Sequence, residues 1–208
     1  MTLAVDDLLG LAPVIPVVVV EDLEDAVPLA RALVAGGLPA IEVTLRTPAG
    51  AAAIERIGAE VEGAVVGAGT VVDARQAEAS VAAGARFLVS PGTTPALLGA
   101  LEATGVPFLP GVATASDVVG LLERDVRVAK LFPAAASGGI ATLRAFAGPF
   151  PQVRFCPTGG IDATTAPDYL ALANVPCVGG SWMLPPAAVR DRDWATVEAL
   201  ASAAAALH

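Results

Sequence analysis

Lys130 is the residue best suited to chemistry, because it is the single lysine of a 208-residue chain whose other eleven cationic residues are arginines. It lies in an apolar, strand-like run, 127–133, where a solvated charge is out of place. A buried ammonium is costly unless it is paired, whereas a neutral amine is a nucleophile that arginine cannot supply. The run therefore indicates either a Schiff-base lysine or a structural ion pair with a buried carboxylate, and both hypotheses remain open here.

Glu42, Thr44 and Arg46 alternate with apolar residues in another strand-like segment. Side chains two residues apart share one face of a strand, so these three are predicted to point inward, away from the covering helices. On that face Glu42 is predicted to be an acid/base, and Arg46 a clamp for a substrate carboxylate or phosphate. The alternative is a buried ion pair of Glu42 with Arg46 or Lys130.

Phe132 shares a face with Lys130 by the same parity and is predicted to form an apolar wall beside the amine. Two glycine-rich loops, PTGG at 157–160 and VGGS at 178–181, each follow a predicted strand and precede a helical segment. Backbone N–H groups in such loops commonly bind phosphate, and two loops in equivalent positions favour that reading over simple turns. Small residues at 67–70 and 90–92 also end predicted strands. They would allow a ligand to approach the backbone, but either set alone is equally consistent with a tight turn.

Strand-like and helical segments alternate along the chain and must position these groups. After a short N-terminal helix over Val5–Leu9, eight strands are predicted, at 13–20, 40–45, 64–71, 87–89, 107–112, 126–132, 152–157 and 176–179. Eight helices are predicted between and after them, near 23–35, 48–60, 73–83, 94–104, 115–123, 139–147, 164–173 and 193–206. This alternation predicts an α/β fold, a (β/α)8 TIM barrel forming a single domain over residues 1–208. A doubly wound sheet is the alternative, although no GxGxxG motif follows the first strand.

Composition excludes several function classes. The net charge of −9 argues against nucleic-acid or anionic-membrane partners. Cys156 and Cys177 lie in apolar runs without CxxC spacing, which indicates reduced, buried thiols in a soluble, cytoplasmic protein. The only histidine is His208, which argues against a catalytic triad, a histidine base and most catalytic metal sites. We therefore expect no metal and no cofactor.

Five motifs resemble those of the 2-keto-3-deoxy-6-phosphogluconate (KDPG) aldolase family, a group of class I aldolases. They are EVTLRT at 42–47, VGAGTV at 66–71, KLFPA at 130–134, RFCPTGG at 154–160 and GGSW at 179–182. The resemblance covers nearly the whole chain, and its last two motifs are more similar to phosphogluconate-type enzymes than to their phosphogalactonate relatives. It implies a (β/α)8 homotrimer that needs no metal and binds a phosphorylated keto-deoxy sugar acid and pyruvate.

The resemblance also implies a role for each matching residue. Lys130 corresponds to the Schiff-base lysine and Glu42 to an acid/base that works through a water. The other matching positions are substrate-binding: Arg46 and Thr70 for the pyruvate carboxylate, Pro91 and Phe132 for the pyruvyl group, Thr158 near the C4 hydroxyl, and Gly159, Gly160, Gly180 and Ser181 for the phosphate.

Two segments depart from the family pattern. Where the family usually has an acidic residue and then Asn-Gly-Gly, this chain has AASGG at 135–139. Where many members have Gly-Ile-Ser-Thr, it has GVAT at 111–114. The first departure leaves open how the loop handles a phosphorylated tail, and neither involves Lys130 or Glu42.

The expected reaction is reversible cleavage of KDPG to pyruvate and glyceraldehyde 3-phosphate. A close alternative keeps the lysine and cleaves 4-hydroxy-2-oxoglutarate to pyruvate and glyoxylate. From other classes, a sugar-phosphate isomerase or epimerase, or a non-catalytic barrel that binds a phosphorylated ligand, would use the same loops without an iminium.

Overall fold

The computed structural model of the chain describes residues 3–207. His208, the only histidine, lies outside the described residues. Nine strands lie within this range: β1 Val14–Val18, β2 Ala40–Thr44, β3 Val65–Gly69, β4 Leu88–Val89, β5 Phe108–Leu109, β6 Gly111–Val112, β7 Val128–Leu131, β8 Arg154–Phe155 and β9 Val178–Gly180. Ten helices accompany them: α1 Val5–Leu9, α2 Ala26–Ala35, α3 Gly50–Glu60, α4 Ala74–Ala82, α5 Pro95–Ala103, α6 Ala115–Leu122, α7 Gly139–Ala147, α8 Ala166–Leu170, α9 Pro186–Arg190 and α10 Trp194–Ala205. A 3₁₀ turn, Leu23–Asp25, leads into α2.

The strands form two parallel sheets, which confirms the α/β class. Six strands pair in the order β5-β4-β3-β2-β1-β9, and three pair in the order β6-β7-β8. A single parallel bridge between Thr158 and Gly179 lies between the end of β8 and β9. The amide of Lys130 in β7 donates to the carbonyl of Pro110, which separates β5 from β6. The two sheets are therefore neighbours at both ends.

Side-chain parity divides the apolar residues into two clusters, as the sequence predicts. Ile41, Val43, Ala129 and Leu131 belong to an outer cluster that packs against the helices. The alternate positions contribute to a separate inner cluster, made of Leu8, Leu9, Ile15, Ala40, Val65, Phe87, Val89, Leu109, Val128, Cys156 and Cys177. Glu42 and Lys130 share the parity of Ala40 and Val128, so they extend the inner cluster toward the carboxyl ends of the strands.

Helix α1 closes the amino-terminal end of the inner cluster. Leu8 and Leu9 are 0% and 1% exposed, and burying each contributes about 1.5–3 kcal/mol. Cys156 and Cys177 are free and buried, as predicted. A side-chain hydrogen bond with Cys156, together with burial, raises the pKa of the Cys177 thiol well above its usual range.

Several predicted elements have different bounds in the structure. The strand predicted at 107–112 is split into β5 and β6, because Pro110 has no N–H to donate to a ladder. The helix predicted at 164–173 is the five-residue α8, and the short helix α9 was not predicted because five residues carry no helical periodicity. No helix within residues 3–207 is long and apolar enough to cross a bilayer.

A capping box fixes the start of α6. The Asp117 amide donates to the Thr114 hydroxyl at 3.2 Å, and the Asp117 carboxylate accepts from the Ala113 and Thr114 amides, both at 2.9 Å. Burial opposes ionisation of Asp117, but these hydrogen bonds outweigh it and lower the pKa of the carboxyl below its usual value. The carboxylate thus stabilises the folded state wherever it is ionised.

We expect Asp117→Ala to lower the free energy of unfolding by about 1 kcal/mol at pH 7, the usual cost of a lost helix cap. Because the folded pKa is depressed, this contribution is complete above the unfolded value of about 3.9 and disappears as pH falls through the lower folded value. Urea unfolding of both proteins between pH 7 and pH 2 measures the difference. Asp7→Ala, an exposed site in α1, is the control, and a gap that stays constant down to pH 2 would contradict the prediction.

Candidate active site

Lys130 and Glu42 form an ion pair in the interior of the fold. The Lys130 Nζ lies 3.0 Å from Glu42 Oε1 and 3.3 Å from Oε2, although 88 residues separate the two along the chain. Their side chains are 5% and 4% exposed. Lys130 extends from β7 and Glu42 from β2, so two strands that are not paired with each other place an amine and a carboxylate in contact. Of the two partners that the sequence left open for Glu42, the structure has Lys130 rather than Arg46.

Phe132 covers the amine, as the strand parity predicts. The Lys130 Nζ lies 5.2 Å from the centroid of the Phe132 ring, within the range of a cation–π contact. The Phe132–Pro133 peptide bond is cis. Gly159 lies close to the same ring, since a Cβ placed there would be 3.4 Å from Phe132 Cε2. The amine therefore has an aromatic neighbour that connects it to the first glycine-rich loop.

Gly69 borders the Glu42 carboxylate, and sequence reasoning gave it no specific role. A Cβ at Gly69 would lie 2.6 Å from Glu42 Cγ and 2.8 Å from Cδ. Thr44, the other polar residue on the inward face of β2, donates its hydroxyl to the Val18 carbonyl at 3.1 Å. The only sequence signal for this close approach was the run of small residues at 67–70.

Arg46 and Thr70 lie together at the end of the same strands. The Arg46 Nε donates to the Thr70 hydroxyl at 3.3 Å, and Arg46 is exposed in the turn that follows β2. Thr70 has φ of 62°, a backbone conformation that β-branched residues rarely adopt. Strained residues of this kind are concentrated at functional sites. A guanidinium held next to a hydroxyl at the rim is suited to binding a carboxylate.

Pro91 packs against Gly111 of β6, the strand that pairs with the strand of Lys130. A Cβ at Gly111 would lie 2.5 Å from the Pro91 carbonyl oxygen, and Gly111 is the strand partner of Lys130. The buried hydroxyl of Ser90 accepts from the Gly111 amide at 3.2 Å. Pro91 is thus held one strand away from the amine, and Ser90 is a supporting residue that sequence reasoning did not identify.

The two glycine-rich loops meet at Thr158. Thr158 bridges to Gly179, where a Cβ would lie 2.9 Å from Thr158 Cγ2. The Thr158 hydroxyl donates to the Cys156 carbonyl at 3.4 Å. Gly159 and Gly160 have φ of 101° and 75°, which side-chain-bearing residues rarely adopt. The loops are therefore adjacent, as a shared phosphate site would require.

The loop after β7 packs on the first glycine-rich loop. The amides of Ala134 and Ala135 donate to the carbonyls of Thr158 and Gly159 at 2.8 and 3.0 Å. Ala135, the first residue of the AASGG segment, is therefore in contact with the first glycine-rich loop.

The second glycine-rich loop borders a cavity. Ser181 is exposed there and lines a cavity of about 550 Å³ that is also lined by Glu21, Asp22, Leu184, Val189 and Arg190. Gly180 packs against the Trp182 ring, since a Cβ there would lie 3.1 Å from Trp182 Cη2.

Residues 3–207 contain no group of three or more His, Cys, Asp and Glu side chains arranged to hold an ion. The groups found at the carboxyl ends of the strands are a paired amine and carboxylate, an arginine beside a threonine, and two glycine-rich loops. Such groups suit covalent and proton-transfer chemistry on an anionic substrate.

Comparison with known proteins identifies the family of this chain. The family model described as "Aldolase: KDPG and KHG aldolase" matches residues 5–200. The 2-dehydro-3-deoxy-phosphogluconate aldolase of Pseudomonas aeruginosa is 50% identical over 199 residues, which cover 96% of this chain and 90% of that protein.

Two solved structures are also similar over almost their whole length. The KDPG aldolase of Legionella pneumophila, with pyruvate captured as a covalent carbinolamine intermediate, has a TM-score of 0.96 and 45% identity, covering 99% of this chain and 100% of that one. The 2-keto-3-deoxy-6-phosphogluconate aldolase of Zymomonas mobilis with 3-phosphoglycerate has a TM-score of 0.94 and 48% identity, covering 98% and 96%. The chain belongs to the KDPG and KHG aldolase family.

Proposed function

We propose that this chain is a class I aldolase, a carbon–carbon lyase that cleaves KDPG reversibly to pyruvate and glyceraldehyde 3-phosphate. The observation that carries the proposal is the chain's single lysine, buried with its amine 3.0 Å from a carboxylate oxygen and covered by an aromatic ring. The relative from Legionella pneumophila, at 45% identity, holds pyruvate as a covalent carbinolamine. A carbinolamine is the adduct that an amine forms with the pyruvate ketone before water is lost.

The ion pair can provide the nucleophile. Transfer of one proton from Lys130 to Glu42 leaves a neutral amine, which attacks the C2 ketone of the substrate. The carbinolamine then loses water, with Glu42 supplying the proton through a water molecule, and the product is an iminium on Lys130. Because Glu42 lies within hydrogen-bonding distance of the same nitrogen, one carboxylate can serve both steps.

Cleavage follows from the iminium. Glu42, again through water, accepts the proton of the C4 hydroxyl, so the C3–C4 bond breaks and its electron pair moves into the iminium. Glyceraldehyde 3-phosphate leaves, and the remaining enamine is protonated at C3. Water then hydrolyses the resulting pyruvyl iminium, which releases pyruvate and regenerates Lys130.

The rim residues orient the substrate. Arg46, bonded to Thr70, binds the carboxylate next to the reacting ketone, while Pro91 and Phe132 pack on the pyruvyl group. Thr158 contacts the C4 hydroxyl. The phosphate binds to the loops of Gly159, Gly160, Gly180 and Ser181. Gly159 and Gly160 have positive φ angles, and glycine at such positions allows the backbone to approach a ligand closely.

A second candidate substrate is 4-hydroxy-2-oxoglutarate, which yields pyruvate and glyoxylate by the same steps. The family description names KHG, which is 4-hydroxy-2-oxoglutarate, beside KDPG. The reacting half of both substrates is the same pyruvyl unit. The isomerase, epimerase and non-catalytic alternatives do not require a buried amine, and family membership argues against them.

The proposal extends to the architecture. We take β5 and β6 as one strand interrupted at Pro110, so that eight strands close into a (β/α)8 barrel forming a single domain over residues 1–208. This is supported by the Thr158–Gly179 bridge on one side and the Lys130–Pro110 hydrogen bond on the other. A cytoplasmic homotrimer is proposed on the family resemblance, and the free, buried thiols of Cys156 and Cys177 suit a reducing compartment.

Trapping with borohydride tests the chemistry. After incubation with pyruvate and sodium borohydride, the intact mass should rise by one reduced pyruvyl group, mapped by peptide digestion to Lys130. Lys130→Arg should keep the fold, measured by circular dichroism, and form no adduct. A folded wild-type protein that gains no mass would contradict the class I mechanism.

A negative charge introduced into the second glycine-rich loop tests the substrate class. Ser181→Asp places a carboxylate beside the proposed phosphate, and repulsion at about 4 Å should lower kcat/KM for KDPG at least about tenfold. The value for 4-hydroxy-2-oxoglutarate, which carries no phosphate, should stay within about twofold, and Ser181→Asn is the neutral control. Equal losses of kcat/KM for both substrates would show that this loop does not bind the phosphate.

A further inference from the structure

Gly69 leaves a niche that the Glu42 carboxylate fills. The two residues lie on adjacent paired strands, where Gly69 is the register partner of Thr44 and its carbonyl accepts from the Leu45 amide at 2.9 Å. A Cβ at Gly69 would lie 2.6 Å from Glu42 Cγ and 2.8 Å from Cδ. Unbonded carbon atoms normally approach to about 3.5–4.0 Å, so a methyl group and the present carboxylate cannot coexist.

The backbone gives no reason for a glycine at this position. Gly69 is not among the glycines with positive φ, and a glycine inside a strand weakens it relative to residues with side chains. Gly69 lies in β3, which is paired on both sides, with β2 and β4, whereas the Glu42 side chain has rotatable bonds. A methyl group at residue 69 would therefore displace the carboxylate rather than the strand.

We propose that Gly69 is a positioning residue for the aldolase reaction, because its missing side chain holds the Glu42 carboxylate against the Lys130 amine. This inference rests on the proposed function. Displacing the carboxylate lengthens the 3.0 Å contact through which protons pass to and from Lys130 and the carbinolamine. The niche thus sets the rate of the proton transfers without touching the substrate.

Gly67 provides a matched control on the same strand and the same face. A Cβ there would lie 2.5 Å from three atoms of the Phe87 ring, which is fully buried in the inner cluster. Gly67→Ala therefore adds the same methyl group to β3 but strains apolar packing, and the rigid ring cannot move aside as a carboxylate can. The two variants separate damage to packing from displacement of the carboxylate.

Steady-state kinetics and thermal unfolding of both variants distinguish the roles. We expect Gly69→Ala to lower kcat for KDPG about 100-fold, a loss that misplacement by about 1 Å can cause, with KM within about threefold. Its Tm should stay close to that of the wild type. Gly67→Ala should show the opposite: a clearly lower Tm, and kcat within about threefold when assayed below that Tm.

A double-mutant cycle tests whether Gly69 acts through Glu42. The readout is the rate at which the borohydride-trapped pyruvyl adduct accumulates. This rate stays measurable in slow variants. Gly69→Ala should slow this rate strongly in the wild-type background, but by less than about threefold in the Glu42→Gln background.

Two results would overturn the inference: wild-type kcat in Gly69→Ala, or an equal loss of trapping rate in both backgrounds. These are distinct from a failure of the proposed function, in which the wild-type protein itself forms no adduct. If the wild-type protein forms the adduct and Gly69→Ala is fully active, only the positioning role is lost.

Discussion

The buried contact between Lys130 and Glu42 is the constraint on which the rest of the site depends. Removing two charges from water costs several kcal/mol per ion, and their attraction offsets that cost only when geometry is good. With side chains 5% and 4% exposed and 3.0 Å between nitrogen and oxygen, neither group can change without leaving the other unpaired. A buried pair of this kind is a poor means of stabilising a fold, but it places a carboxylate where it can accept a proton from the amine.

The strands supply the space that this pair needs. At the amino-terminal end, α1 and the inner cluster fill the interior with apolar side chains, so the polar groups are confined to the carboxyl ends of the strands. At that level the fold replaces side chains by glycine where polar groups require room: Gly69 next to Glu42, and Gly179 next to Thr158. The missing Cβ atoms of these glycines leave the volume that the Glu42 and Thr158 side chains occupy.

Strand parity explains why much of this could be predicted from sequence. A period of two, read from Lys130 and Glu42, placed both residues and Phe132 on the interior face, because Lys130 and Glu42 lie within regular strands and Phe132 directly follows β7. The break at Pro110 and the short helix α9 were missed, since a single missing donor and a five-residue helix leave no periodic pattern. The niche at Gly69 and the choice of Lys130 over Arg46 as partner depend on distances between strands, which no local pattern encodes.

The most direct test of the central claim is exchange of the pyruvate methyl protons with solvent deuterium, followed by ¹H NMR. If Lys130 forms the iminium and Glu42 moves its protons, the wild-type protein should exchange all three methyl protons. Lys130→Arg should exchange none, and Glu42→Gln should exchange far more slowly than the wild type. Exchange that persists at the wild-type rate in Glu42→Gln would contradict the role of the ion pair, and absence of exchange in the wild-type protein would contradict the enamine.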